Sequence, residues 1–355
     1  MVIPRVGEVG PDRGAAGWTH PFDHPPRTAM TPAQRHTPKI ELHVHLEGTV
    51  RPALLAELAR GHRLPVPAET SGRFDDLYDF IATWNAMTTV LRTPQDYRRA
   101  LLAYAAEAAR DGAVHLEPIV DAEERLGLDG WANLLAALVD AAAEARESYG
   151  VSIGLTPQVC RGHDVEFTES AARVATRFAG QGVVGFGLSG AEGRHPTTPY
   201  RRMVELARDG GLPFVPHAGE AAGPEAVREV LAMGAVRVRH GVRAVEDPEL
   251  VAELAARGVV LDVTPTSNLR LGVARADLPH PLTVLTDAGV ACSVSTDDPA
   301  IFDITLADEY AFAAHLGVTP ATAYAAGLRG MLGDAADHAR LVVVGEQAYG
   351  GGTPS

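Results

Sequence analysis

The 355-residue chain predicts an α/β fold, a (β/α)8 TIM-type barrel with a helical insertion after its first strand. Three observations point there. Eight short β-branched runs alternate with Ala/Leu/Glu/Arg-rich segments, the pattern of repeated β-α units. The alternation extends over about 310 residues, which one large barrel accounts for. No Gly-x-Gly-x-x-Gly follows the first strand, which weighs against an open doubly wound sheet, the other architecture with this alternation.

The strands are expected at KIELHVH (39–45), AVHLEPIV (113–120), VSIGLTP (151–157), VVGFGLS (183–189), LPFVPHA (212–218), VRVRH (236–240), VVLDVTP (259–265) and ACSVSTDD (291–298). Helices lie between them, among them 94–112 and 130–150, each ending in glycine, a common C-terminal stop. The long gap after the first strand holds RFDDLYDFIATWNAM (73–87), a helical insertion that either covers the barrel mouth as a lid or packs on the outside. Residues 1–35, rich in Pro, Gly and charge, are expected to be a flexible N-terminal extension, 36–345 the barrel, and 346–355 a flexible C-terminal tail. The first thirty residues lack an apolar core, so no secretory signal is expected there, and Met30 is an alternative start.

Composition excludes several function classes. The net charge is -14 with no Lys/Arg-rich run, a poor match to nucleic acid or an anionic membrane surface. No stretch approaches 18 consecutive apolar residues, so no transmembrane helix is expected. Two distant cysteines, Cys160 and Cys292, argue for a reducing, cytoplasmic setting without a disulfide framework. Oligomeric state is left open. Lys39 is the only lysine, and it precedes His43 by four positions. A site with two metals bridged by a carbamylated lysine is therefore excluded in favour of a single metal.

The polar groups at the strand ends carry the chemistry. His43 and His45 share one face of the first strand, because strand alternation has period two. Strand five ends in His217 with Glu220 just beyond, strand six in His240, and strand eight in Asp297 and Asp298. In a closed barrel those ends face one another. Imidazoles plus one carboxylate suit a borderline metal such as Zn²⁺ with one position open to water, whose pKa the metal lowers from 15.7 to about 7. One of the two aspartates ligates while the other holds water or substrate. Glu220 is placed to donate a proton rather than to ligate. His240 is either a fourth ligand or, as we favour, the general base.

These residues resemble the adenosine deaminase family of metal-dependent amidohydrolases, through PKIELHVHLEGTVRP, VVGFGLSGAE, PHAGE, RVRHG, PTSNL and STDDP in family order across most of 38–335. The resemblance implies one zinc (Fe²⁺ the alternative) held by His43, His45, His217 and Asp297. It implies that Glu220 protonates purine N1 and that His240 orients and deprotonates the attacking water. Asp298 would contact that water and N7, and the Gly190 N–H would face N3. Hydroxide then adds to C6 of a 6-aminopurine and ammonia leaves. The small-molecule partner implied is a purine nucleoside: adenosine or a 5′-modified adenosine, with aminodeoxyfutalosine (of menaquinone biosynthesis) and adenine as alternatives. A different amide, ester or phosphoester hydrolase and a non-catalytic relative are further readings. The acid at Glu220 and the complete ligand set weigh against them.

Departures bear on the substrate. Glu47 stands where adenosine deaminases carry an aspartate that holds the ribose 5′-hydroxyl, and a glutamate there also occurs in adenine and aminodeoxyfutalosine deaminases. LSGAE (188–192) keeps the adenosine-type glycine, which favours a nucleoside. Arg239 replaces the glycine usual before the catalytic histidine. Facing the site, it would add positive charge suited to a 5′-side carboxylate, and Arg239→Gly would alter substrate choice. Among the rest, His115 and Glu117 are read as packing residues, Cys292 as core, and Ser267 and Asn268 as fixing the loop that frames the metal. Tyr78, Phe80 and Trp84 either pack in the core or stack on a purine. His163 and His280 are loop residues with no assigned partner.

Overall fold

The computed structural model describes residues 35–68, 74, 77–121 and 126–350. Its strands are β1 (Lys39–His45), β2 (Ala113–Asp121), β3 (Ser152–Ile153), β4 (Thr156–Cys160), β5 (Gly187–Ser189), β6 (His217–Ala218), β7 (Arg237–His240), β8 (Val260–Val263) and β9 (Ala291–Val294). Every pairing is parallel. One sheet runs β1-β2-β4-β5 with β3 on β2, and the other runs β6-β7-β8-β9. Single bridges join them. Phe186 pairs with Phe214 and Phe214 with Ala235 on one side, and Val44 pairs with Asp297 on the other. The ring so closed is the expected eight-fold barrel, its third strand divided into β3 and β4 around Gly154 and Leu155.

Several strands are shorter than expected, for identifiable reasons. In the fifth, Pro213 and Pro216 have no N–H for the ladder, so only His217–Ala218 is regular strand. In the seventh, Pro265 starts a helix, Pro265–Arg270, that takes Ser267 and Asn268 with it.

Helices wrap the ring. Pro94–Arg110 begins with a capping box in which Thr93 accepts from Asp96 N and Asp96 from Thr93 N. Gly127–Tyr149 ends at Gly150 in the left-handed conformation. Tyr97, Leu101, Leu134 and Leu138 of these helices are fully buried in the main core between ring and helices, each contributing about 1.5–3 kcal/mol by burial. The last helix, Ala335–Tyr349, corrects the expected tail. Residues 346–349 belong to it, and Tyr349 Oη donates to Pro38 O at 2.5 Å. The expected N-terminal extension lies almost wholly outside the described residues, as do 351–355. No helix among the described residues is long and apolar enough to cross a membrane.

The barrel axis is polar. On β7, Val238 joins the apolar core, while Arg237 is wholly buried and pairs with Glu117 at 2.7 Å and Asp262 at 2.6 Å. Lys39, at the foot of β1, donates to the carbonyls of Arg35, Thr37 and Asp111 at 2.7–2.9 Å. Its ammonium is spent on capping the bottom of the ring.

Candidate active site

At the opposite end of the ring the ends of β1, β6, β7 and β9 bring their polar groups together. His43 Nε2 lies 3.2 Å from Asp297 Oδ1, His45 Nε2 lies 3.5 Å from the same oxygen, and His45 Nε2 faces His217 Nε2 at 3.2 Å. The His43 and His240 rings meet edge to face at 4.6 Å. Supporting contacts fix which atoms point inward. His43 Nδ1 is 3.2 Å from Asp262 O, which only an N–H satisfies, so His43 Nε2 is the lone pair. Ser267 Oγ donates to Asp297 Oδ2 at 2.7 Å, leaving Oδ1 to the cluster.

Strand alternation alone does not build this. His240 and Asp297 adopt left-handed backbone, φ 58° and 66°. Such conformations cost non-glycine residues roughly 1–3 kcal/mol and concentrate at functional sites. After Arg239, which points into the barrel, period two would turn His240 outward; the left-handed residue turns its ring into the cluster instead. The same device lets Asp297 and Asp298, adjacent in sequence, both face the cavity.

The donor set fits a divalent cation. The His43 Nε2 lone pair is buried with no hydrogen-bond donor. Two imidazole Nε2 atoms confront each other, and a carboxylate oxygen lies between two of the rings. Three histidines and one aspartate are the ligand types zinc takes. The electrostatics call for positive charge as well. Burial opposes it, yet Asp298, Asp121 and Asp297 together draw a proton onto His45, raising it to about 10. Burial, reinforced by His43, holds His240 down at about 3, and burial with His43 and His45 depresses His217.

A cavity of about 340 Å³ opens above the cluster, within the range of small-molecule sites. Glu220 lies in its wall, Oε2 3.5 Å from His240 Nε2. Burial, then the Asp297 charge, raise Glu220 well above the usual carboxylate range, which favours its protonated form. The loop that carries it is anchored by Glu192, whose Oε2 accepts from Gly219, Glu220 and Ala222 N at 2.9–3.2 Å. His240 Nδ1 lies 3.3 Å from both Thr264 Oγ1 and Asn268 Nδ2. Gly190 also lines the wall.

The insertion helix, Leu77–Thr88, covers this cavity. Phe80, Ile81, Trp84 and Asn85 line it, and Trp84 Nε1 donates to Asp298 Oδ1 at 2.9 Å. The lid reading therefore holds over the outer-packing one. Phe80 and Trp84 are wall residues, and the Tyr78 side chain lies outside what is described.

Two expectations change. Glu47 does not line the cavity. It is buried beside it, with Oε1 accepting from Asp121 N at 3.1 Å. Arg239 does not line it either. It is wholly buried on the barrel axis, donating to Gln158 Oε1 at 3.0 Å and Thr156 Oγ1 at 2.7 Å. A strand-end position reaches the mouth, and the residue before it sits one layer down. Glu117 is bound to Arg237, His115 contacts Ser152 Oγ at 2.8 Å, and Cys292 is buried in the core. The His163 ring meets Phe167, and His280 caps a helix. Asp121 and Glu192 were not singled out from sequence. Their signals were a carboxylate at the end of strand two and another two residues after Gly190.

Comparison with known proteins bears on this arrangement. The family model described as adenosine deaminase matches residues 38–338. An aminodeoxyfutalosine deaminase of Acidothermus cellulolyticus is 44% identical over 313 residues, covering 84% of this chain and 88% of that protein. An adenine deaminase of Rhizobium leguminosarum bv. trifolii is 37% identical over 285 residues, covering 79% and 88%. Among solved structures, an adenine deaminase from Arthrobacter aurescens superimposes with a TM-score of 0.80 at 29% identity, over 88% of this chain and 98% of that one. Sequence, fold and the polar ring at the barrel mouth agree, and the chain belongs to the adenosine deaminase family, a metal-dependent hydrolytic deaminase.

Proposed function

We propose that the chain hydrolytically deaminates a 6-aminopurine nucleoside, with aminodeoxyfutalosine the favoured substrate, using one zinc ion. His43, His45, His217 and Asp297 are the residues that would hold the ion. When bound, it supplies the Lewis acidity that makes water a nucleophile at neutral pH. The observation that carries the chemistry is the buried Glu220 carboxyl in the cavity wall, 3.5 Å from His240 Nε2 and next to the three-histidine cluster, where burial favours its protonated form.

The rest follows from this chain's groups. The Glu220 carboxyl gives its proton to purine N1, which makes C6 electrophilic. The oxygen of water adds to C6, and its proton passes to the neutral imidazole of His240. Asp298, held by the Trp84 indole, orients that water, and the Gly190 N–H takes purine N3. His240 then returns its proton to the exocyclic nitrogen, the C6–N bond breaks and ammonia leaves. As the C6 carbonyl forms, the remaining hydroxyl proton restores Glu220. One water is consumed and one ammonia released.

The choice of aminodeoxyfutalosine rests on the relative of that name, 44% identical over 84% of this chain, against 37% for the adenine deaminase. Adenine is the second reading, favoured by the solved structure at 29% identity. A panel of adenosine, adenine, 5′-modified adenosines and aminodeoxyfutalosine, followed by the ultraviolet change on deamination, decides. The highest kcat/KM is expected for aminodeoxyfutalosine. A higher value for adenine selects the second reading, and no turnover of any 6-aminopurine by zinc-loaded protein rejects both. Glu220→Gln is expected to keep its zinc and lose about 10²–10⁴-fold in kcat, the usual size of a proton-transfer contribution. Loss of the metal instead would make Glu220 a ligand.

A further inference from the structure

Arg239 is a wholly buried guanidinium beneath the cavity, and its hydrogen bonds go to Gln158 and Thr156 rather than to a carboxylate. Its neighbour Gly187 has no side chain to spare; a Cβ there would stand 2.5 Å from Arg239 Nη1. The packing therefore makes room for this group one layer beneath the cluster.

The direction of the hydrogen bonds around it is determined. A guanidinium only donates. Thr156 Oγ1 accepts from Nη2 at 2.7 Å and donates its own proton to Pro118 O at 3.1 Å. Gln158 Oε1 accepts from Nη1 at 3.0 Å, which orients the amide and sends its NH₂ the other way. That NH₂ donates to Asp121 Oδ1 at 2.9 Å, and Cys160 Sγ lies 3.5 Å from the same oxygen. Asp121 Oδ2 is left facing His45 Nδ1 at 3.6 Å, a buried nitrogen with no closer hydrogen-bond partner. The backbone of Asp121 is held in turn, its N–H donating to Glu47 Oε1 at 3.1 Å.

We infer that Arg239 is a positioning residue: through Gln158 and Asp121 it keeps the proton of His45 on Nδ1 and so presents His45 Nε2 as a lone pair to the cation site. Arg239 donates to Gln158 and Gln158 to Asp121, and the Asp121 carboxylate, which only accepts, faces His45 Nδ1 as the acceptor for its proton. With a neutral side chain at position 239, the Gln158 amide is free to flip, Asp121 loses a donor, and the His45 ring loses its fixed orientation. Partners that orient a ligating imidazole in this way typically contribute 10–100-fold to metal affinity. The inference rests on the proposal that His45 is a metal ligand.

The test measures zinc affinity by competition with a chromophoric chelator on purified protein stripped of metal, with folding verified by circular dichroism. Gln158→Leu and Arg239→Met are expected to bind zinc about 10–100-fold more weakly than the parent. Arg239→Lys, which keeps a buried group that only donates, is expected to restore most of that loss. A residue of merely structural value would not show this rescue. Nitrogen-15 spectra of histidine-labelled, zinc-loaded parent should show His45 protonated at Nδ1. If Arg239→Met does not fold, Gln158→Leu decides, since it removes the amide and leaves the charge. Parent-like zinc affinity in folded Gln158→Leu overturns the relay. So does unchanged zinc affinity in Arg239→Met with a raised KM for a substrate bearing a 5′-side carboxylate, which would assign Arg239 to substrate. His45→Ala separates the two readings. If it binds zinc as tightly as the parent, the proposed metal site itself falls. If it loses zinc while Gln158→Leu does not, only the relay is rejected.

Discussion

Gly48 and Asp298 meet so closely that any side chain at position 48 would displace the carboxylate. A Cβ there would stand 1.9 Å from Asp298 Oδ1 and 2.6 Å from its Cγ. The glycine after Glu47, in the short 3-10 turn Leu46–Thr49, is thus a requirement of the carboxylate opposite. Oδ1 and Cγ can swing aside, whereas Asp298 Cβ, 2.8 Å away, moves only with its backbone, so Gly48→Ala should displace Asp298 together with a small shift of its segment. That displacement breaks the 2.9 Å contact with Trp84 and misplaces the group proposed to orient water. Misplacement by about 1 Å can cost on the order of 10²-fold in rate. Gly48→Ala is therefore expected to lower kcat by about that factor while zinc content and melting temperature stay near the parent values. An unchanged kcat would show that Asp298 need not occupy the observed position. The neighbouring Glu47 teaches a related lesson. Its place beside the metal motif was legible in the sequence, but its hydrogen bond to Asp121 N links strand ends 74 residues apart.

Among the elements, the helix Pro281–Asp287 depends on an unusual cap. His280 is 5% exposed, and its Nδ1 accepts from Leu282 N at 3.1 Å. Burial pushes His280 down to about 4 from an ordinary value of 6.5. Only the neutral ring can accept, so protonation removes the cap as well as burying a charge. Between pH 6.5 and 4 the unfolded chain binds a proton at this residue and the folded chain does not. Folding stability then falls as pH falls through that window, and it is fully present above 6.5. At about 1.4 kcal/mol per pKa unit, the loss from this residue reaches about 2 kcal/mol by pH 5. His280→Asn keeps a good N-cap acceptor and cannot titrate. Urea unfolding at pH 7.5 and 5 should show the parent losing about 2 kcal/mol more than the variant, and equal losses would remove His280 as the source. The strands and major helices were legible because hydrophobic period and glycine or proline punctuation are local. The exact ends were not, because Pro213, Pro216 and Pro265 cut the ladders short. The depth of a side chain along the barrel axis was not legible either. Arg237 and Arg239 share a face by period two, yet one meets Glu117 and Asp262 while the other meets Gln158 and Thr156. His240 was found as a strand-end residue, but the left-handed backbone that aims it inward leaves no sign in a pattern of hydrophobicity.

For the molecule as a whole, the site sits across the weakest joints of the ring. The two sheets are internally laddered, but they meet through single bridges, Phe186–Phe214–Ala235 on one side and Val44–Asp297 on the other. His43 and His45 belong to the first sheet, His217 to the second, and Asp297 follows the last strand of the second. A cation held, as proposed, by those four residues would tie one half of the barrel to the other at the mouth. It would also offset the negative charge of the Asp297 and Asp298 pair in the cavity wall. Binding to the folded state alone stabilises it by about 4 kcal/mol when the free ion is a thousandfold above its dissociation constant. For a barrel of about 310 residues, where each kcal/mol moves the midpoint by roughly 1.5 °C, that corresponds to a shift of about 6 °C. Removing the metal with a chelator should therefore lower the unfolding midpoint by about that much, and adding zinc back should restore it. Amide hydrogen exchange should quicken first in β1, β6 and the segment after β9, where the staple acts, and least in β2 and β8, which are paired on both sides. The gain on adding zinc should shrink in His45→Ala. Equal protection at the seams with and without zinc would mean that the two halves hold each other without the ion, and that its role is confined to chemistry.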